Sequence, residues 1–175
     1  LYDIAFFRTL PNTVLMAPKD ENELQHMLAT AIAYPGPAAV RFPRGAGFGV
    51  PMDPEIKTLP IGEAELLRDG DDVLIVALGT LVHPALEAAQ ELASRGISAA
   101  VLNARFAKPL DTGRLLPLAR RCGALVSVEE HAGMGGFGSA VLEALSAAEV
   151  VIPTRCLAVP DGLIEHGSTP ESVGI

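Results

Sequence analysis

Ala38-Ala39-Val40-Arg41-Phe42-Pro43-Arg44-Gly45-Ala46-Gly47 decides how this chain is divided. Val40 and Phe42 flank Arg41 at the two-residue spacing of a strand, which predicts a short buried strand over residues 38–42. Pro43 has no N–H to give a ladder and ends it. Gly45, Gly47 and Gly49 then free the chain to run irregularly. Arg41 and Arg44 therefore stand at a strand exit. In open α/β sheets ligands bind beyond the carboxyl ends of the strands. Arginine's planar fork matches phosphate and carboxylate oxygens. The competing reading is that both arginines make surface ion pairs.

Upstream of that stretch, residues 3–9 read as a short helix, ended before Pro11. Thr13-Val14-Leu15-Met16-Ala17 is a short apolar run between turn residues, hence a buried strand. Asp20 can cap the helix that follows, with Glu21 and Glu23 at its positive end. Leu24, Met27, Leu28, Ala31 and Ile32 recur at helical spacing and predict its apolar face. Pro35-Gly36-Pro37 closes the helix, so residues 13–42 form a parallel β-α-β unit. That unit is too small to stand alone and reads as the end of a larger domain. Residues 46–60, rich in Gly and Pro, read as a surface linker.

From residue 61 onward strands and helices alternate. The edge strand is expected near residues 63–67, and an apolar strand over Val73–Leu78 follows. A helix over Pro84–Ala93, a strand over Ala99–Asn103 and a helix capped by Asp111 come next. Then come a strand over Ala124–Val128, a helix over Gly138–Ala148 and a strand over Arg155–Val159. The alternation predicts an α/β fold with a doubly wound, mostly parallel sheet over residues 61–175.

The totals agree. Hydrophobic residues make up 49% and charged ones 19%, enough apolar material for a sizeable core. The formal charge of −8 argues against nucleic acid or an anionic membrane as partner. Cys122 and Cys156 fit neither a metal spacing nor a disulfide framework, which suggests reduced thiols in a cytoplasmic protein. The first residue is Leu rather than Met, and the reading is of a piece of something longer.

Two further motifs have competing readings. Gly133-Met134-Gly135-Gly136-Phe137-Gly138 has the spacing of a dinucleotide fingerprint, with Asp161 about the right distance onward. The intervening Glu129-Glu130-His131-Ala132 puts carboxylates where a pyrophosphate would lie, which favours a tight strand-to-helix turn. Glu129, Glu130 and His131 sit at a strand's carboxyl end, as a proton relay or as structural residues. Strand geometry lets only alternate ones share a site. His83 reads as a helix-start residue, and His26 and His166 as ordinary polar positions.

Taken in order, the chain resembles the thiamine-diphosphate-dependent transketolase-like enzymes. The residues that carry this include Tyr2-Asp3-Ile4-Ala5-Phe6-Phe7-Arg8, Asp20-Glu21-Asn22-Glu23 and Arg41-Phe42-Pro43-Arg44-Gly45. Leu78-Gly79-Thr80, Arg105-Phe106-Ala107-Lys108-Pro109-Leu110-Asp111, Val128-Glu129-Glu130-His131 and Gly135-Gly136-Phe137-Gly138-Ser139 continue it. The nearest branch condenses pyruvate with D-glyceraldehyde 3-phosphate, losing CO2. Transketolases themselves and 2-oxoacid dehydrogenase β subunits are the enzyme alternatives; a non-catalytic dimerisation or regulatory module is another. The resemblance implies that residues 1–45 end a pyrimidine-binding domain and that 61–175 are a transketolase C-terminal-like domain. It implies that Arg44 holds the phosphate of glyceraldehyde 3-phosphate, with Arg41 supporting it or pairing internally. It also places thiamine diphosphate, Mg2+ and the catalytic groups in a missing upstream region. This chain would then hold no catalytic, cofactor-binding or metal-binding residue, and would be inactive alone as part of a cytoplasmic homodimer.

Overall fold

The computed structural model describes residues 1–162; His166 and the end of the predicted C-terminal unit lie outside the described residues. The segment before the linker contains α1 (Asp3–Thr9), β1 (Val14–Met16), α2 (Glu21–Ala33) and β2 (Ala38–Val40). After the linker come β3 (Glu65–Arg68), β4 (Val73–Ala77), a single 3-10 turn at Gly79–Leu81 and α3 (Val82–Ser94). β5 (Ala99–Asn103), β6 (Phe106–Lys108), α4 (Thr112–Cys122), β7 (Leu125–Ala132), α5 (Phe137–Ala147) and β8 (Thr154–Val159) complete the order.

The larger sheet has the strand order β3-β5-β4-β7-β8. The edge strand β3 runs antiparallel to β5 while β5, β4, β7 and β8 are parallel, as the alternation of elements predicted. Along β4 the side chains alternate between faces. Leu74 and Val76 pack with Leu115 and Leu118 of α4 and Phe137 and Val141 of α5. Ile75 and Ala77 pack with Val82, Ala85 and Ala89 of α3. Helices on both faces of the sheet make it doubly wound.

The smaller sheet joins the two halves of the chain. β1 pairs in parallel with β2, and on its other side it pairs antiparallel with β6, whose three residues the sequence pattern did not reveal. Phe106 of β6 is fully buried and packs with Val14, Met16 and Met27. Arg105, in the left-handed region at φ 56°, turns the chain from β5 into β6. A buried ionic cluster seals the same junction. The Glu23 carboxylate accepts from Lys19 N (2.8 Å), Lys19 Nζ (3.2 Å), Asn103 Nδ2 (2.9 Å) and Arg105 Nε (2.7 Å). Glu65 also pairs with Lys19 Nζ and Arg105, each at 3.0 Å.

Two sequence expectations need correction. The strand at 38–42 ends at Val40, and it is half-buried because β2 is an edge strand of its sheet. Arg41 N–H still reaches Met16 O at 2.8 Å, but Phe42 is exposed. On α2, Met27 is buried as expected, yet Leu28 and Ile32 are exposed, Ile32 at 86%. The buried positions include Glu23, His26 and Thr30. Glu23 is buried in the ionic cluster, and His26 and Thr30 under the linker, which lies along a polar stripe of the helix. Asn22 Oδ1 accepts from Asp53 N–H (2.8 Å), His26 Nδ1 from Lys57 N–H (3.0 Å) and Thr30 Oγ1 from Leu59 N–H (2.7 Å). Backbone donors with no helix or strand to pair in take side-chain acceptors instead, so here the helix buries acceptors rather than leucines.

Candidate functional site

Arg44 follows β2 and lines an open cleft of about 360 Å³, within the range of small-molecule pockets of roughly 300–1,000 Å³. Asp20 and Glu21 at the start of α2, Phe42 and Phe48 from the irregular stretch, and Thr80 after β4 line it with Arg44. Arg44 is the basic residue of that lining. The cleft lies beyond the carboxyl ends of β2 and β4, where open α/β sheets gather ligands.

The acids beside Arg44 are engaged. Asp20 caps α2, its Oδ1 accepting from Glu23 N–H at 2.8 Å. Its Oδ2 lies 3.6 Å from Nε2 of His83, the second residue of α3, as expected of a helix-start position. That Nε2 is buried, with no hydrogen-bond partner among the described residues. Glu21 is held below the usual carboxylate range by its own backbone N–H and then by the N–H groups of Gly49, Phe48 and Val50.

Arg41 points away from the cleft's lining and into the junction. Its Nε donates to Asp3 Oδ2 at 2.8 Å and one terminal nitrogen to Glu130 O at 2.7 Å. Thr80 Oγ1 donates to Glu130 Oε2 at 3.0 Å, so a polar chain runs from the cleft wall through Glu130 toward Arg41. The structure thus places Arg44, but not Arg41, in the cleft lining.

β7 separates the acids and histidine singled out in the sequence. Its burial alternates residue by residue, so Glu129 and His131 share one side and Glu130 takes the other. The Glu129 carboxylate accepts from Phe137 N–H (2.6 Å) and Gly138 N–H (2.7 Å) at the start of α5. Burial pushes its carboxyl up against these two donors, which favour the charged form. Those amides are the ones a dinucleotide pyrophosphate would use, so the Gly133–Gly138 motif is a tight turn closed by the protein's own carboxylate. A Cβ at Gly136 would lie 2.5 Å from Glu129 Oε2 and 2.7 Å from Ala132 O, which explains glycine there. His131 is fully buried: Nδ1 donates to Ala132 O (2.6 Å) and Nε2 accepts from Ala5 N–H (3.3 Å). Nε2 joins β7 to α1, while Nδ1 is held by β7's own backbone. Arg8, whose role nothing in the sequence pattern marked, holds the same turn from outside, donating to Gly135 O and Gly136 O at 2.8 Å each.

Among the described residues no group of three or more His, Cys, Asp or Glu could hold a metal ion, and no helix is long and apolar enough to cross a membrane.

Comparison with known proteins agrees with this architecture. The chain is 56% identical over 173 residues to 1-deoxy-D-xylulose-5-phosphate synthase of Synechococcus elongatus, covering 98% of the chain and 27% of that protein. It is 60% identical over 169 residues to the enzyme of the same name from Thermomicrobium roseum, covering 96% and 27%. The chain thus spans about a quarter of the length of these curated relatives. Among solved structures, a split-gene transketolase described as an inactive β4 tetramer superposes with a TM-score of 0.82 at 40% identity, covering 91% of this chain and 52% of that one. A transketolase variant from Pichia stipitis shares the fold, with a TM-score of 0.62 at 19% identity, 98% of this chain and 24% of that one. Residues 1–48 match the family described as transketolase, pyrimidine binding domain, and residues 62–173 match transketolase, C-terminal domain. The chain belongs to the transketolase family.

Proposed function

We propose that this chain is part of a 1-deoxy-D-xylulose-5-phosphate synthase, which condenses pyruvate with D-glyceraldehyde 3-phosphate and releases CO2. In this reading Arg44 binds the phosphate of the aldehyde. The observation that carries it is the position of Arg44 in the lining of a small-molecule-sized cleft, in a chain 52–60% identical to relatives of that name. A guanidinium facing a phosphate gives charge-assisted, directional hydrogen bonds. Asp20 and Glu21 add little repulsion, since the helix cap and the loop amides offset their charges. Arg41, with Asp3 and Glu130, supports the wall behind the cleft.

Residues 1–45 are read as the end of the pyrimidine-binding domain, 46–60 as a linker and 61–175 as the C-terminal domain, in a cytoplasmic homodimer. Thiamine diphosphate with Mg2+ supplies the decarboxylation chemistry in such an enzyme. The described residues of this chain offer no metal cluster, and the amides of the glycine turn are taken by Glu129. The resemblance assigns the cofactor to the remainder of the enzyme. The chain alone is read as inactive, a reading supported by the split-gene relative described as inactive.

The test is Arg44→Ala in the enzyme that contains this chain. Loss of a charge-assisted contact should raise the KM for D-glyceraldehyde 3-phosphate about ten- to a hundredfold while sparing that for pyruvate. An unchanged aldehyde KM refutes the assignment. Product analysis with pyruvate and D-glyceraldehyde 3-phosphate separates a synthase from a transketolase.

A further inference from the structure

The stretch from Arg44 to Val50 has no helix or strand to fix it. One side chain on a neighbouring element does so instead. Glu21 Oε2 accepts from Phe48 N–H at 3.0 Å, and Oε1 accepts from Gly49 N–H at 2.5 Å and Val50 N–H at 3.0 Å. Successive amides converging on one acid is how a backbone nest holds an anion; here the anion is a side chain of the same protein. The residue types fit that purpose. A Cβ at Gly47 would lie 2.7 Å from the Glu21 carboxyl carbon, and Gly49 takes φ +78°. The Phe48 ring is also held, its centroid 4.3 Å from that of His83. Glu21, Phe48 and Arg44 all line the one cleft.

We infer that Glu21 is a positioning residue for Arg44: by clasping the amides of residues 48–50 it fixes the loop that presents the guanidinium to a phosphorylated substrate. This rests on the reading of the cleft given above. Glu21 touches the loop rather than the reacting atoms, so its removal should weaken capture of the phosphorylated substrate more than turnover of bound substrate. The carboxylate stays ionised well below neutral pH, so the clasp is intact across the working range.

The experiment compares Glu21→Gln with Arg44→Ala in the enzyme that contains this chain. Glutamine keeps the size but turns an NH2 toward backbone donors, leaving one acceptor oxygen for three amides. The expected result is a rise of about tenfold in the KM for D-glyceraldehyde 3-phosphate, the scale of a binding group displaced by a fraction of an ångström. The pyruvate KM and kcat should change far less, and the amides of residues 48–50 should exchange hydrogen faster. If Glu21→Gln fails to fold, Gly47→Ala pushes the same clasp apart with the acid still present, and the same split is expected. Equal losses in kcat and in both KM values would mean general structural damage and overturn the inference. An unchanged aldehyde KM in Glu21→Gln, with a raised one in Arg44→Ala, overturns the positioning role and leaves the cleft assignment standing. An unchanged aldehyde KM in Arg44→Ala overturns both.

Discussion

Replacing Glu23 by alanine should be among the most damaging single changes at the junction between the two halves of the chain. Glu23 is 2% exposed and receives four donors, from Lys19 N, Lys19 Nζ, Asn103 Nδ2 and Arg105 Nε. Removing one partner of a buried pair costs about 3–5 kcal/mol, because the remaining charge stays desolvated without compensation. Two features lower that figure here. Lys19 and Arg105 side chains are 19% and 16% exposed, and both keep Glu65 at 3.0 Å. Two donors are left worse off: Nδ2 of the fully buried Asn103 keeps only a 3.4 Å contact to Glu65, and Lys19 N–H loses its acceptor. The expected loss is about 3 kcal/mol, a fall of about 6–12 °C in the thermal midpoint for a domain of this size. Glu65→Ala should cost only about 1 kcal/mol, since Glu65 is one-third exposed and its pairs are screened. Chemical denaturation of both variants tests the ranking, and a double-mutant cycle with Arg105→Ala isolates the coupling. A loss below about 1 kcal/mol for Glu23→Ala, or a larger one for Glu65→Ala, would refute the claim that buried hydrogen bonding at Glu23 holds the junction.

Glycine positions offer a second check. Gly136→Ala should destabilise by about 2–3 kcal/mol or more, because its Cβ meets both the Glu129 carboxylate and a backbone oxygen. Gly123→Ala, at φ +68° in open space, should cost only about 1 kcal/mol by denaturation. Acid titration supplies a third. Burial works to raise the Glu65 carboxyl, but Lys19 and then Arg105 outweigh it and hold the group below its ordinary value near 4.5. The folded state then binds fewer protons than the unfolded state in that window. Stability from these pairs is full above about pH 4.5 and falls as the pH drops through the depressed value, and Glu65→Ala should flatten that slope in denaturation measured against pH.

The elements of this chain were largely legible in its sequence where the physics is local. Asp20 and Asp111 cap their helices through Glu23 N–H and Arg114 N–H, as their residue types and positions suggest. The apolar run at β4 and its alternation with helical segments sufficed to predict a mostly parallel, doubly wound sheet. Period-two geometry alone put Glu129 and His131 on one side of β7 and Glu130 on the other. The order of its motifs was enough to suggest the transketolase family.

What tertiary structure alone decided depends on partners distant in sequence. β6 is three residues long, too short to show a period, and it becomes a strand because β1, about 90 residues earlier, offers an unpaired edge. The face of α2 could not be read from its leucines, because the linker's backbone amides compete for the buried side and need acceptors there. The glycine motif spells the same spacing whether it binds a nucleotide or closes on itself. The intervening acids favour a turn in the sequence, and the position of the Glu129 carboxylate, 2.6 Å from Phe137 N–H, shows how it is closed. By residue type and position alone Arg41 and Arg44 are equivalent, and in the sequence only the resemblance separates them. One is drawn into the junction by Asp3 and Glu130 while the other lines the cleft, because charge partners are chosen by distance in space rather than along the chain.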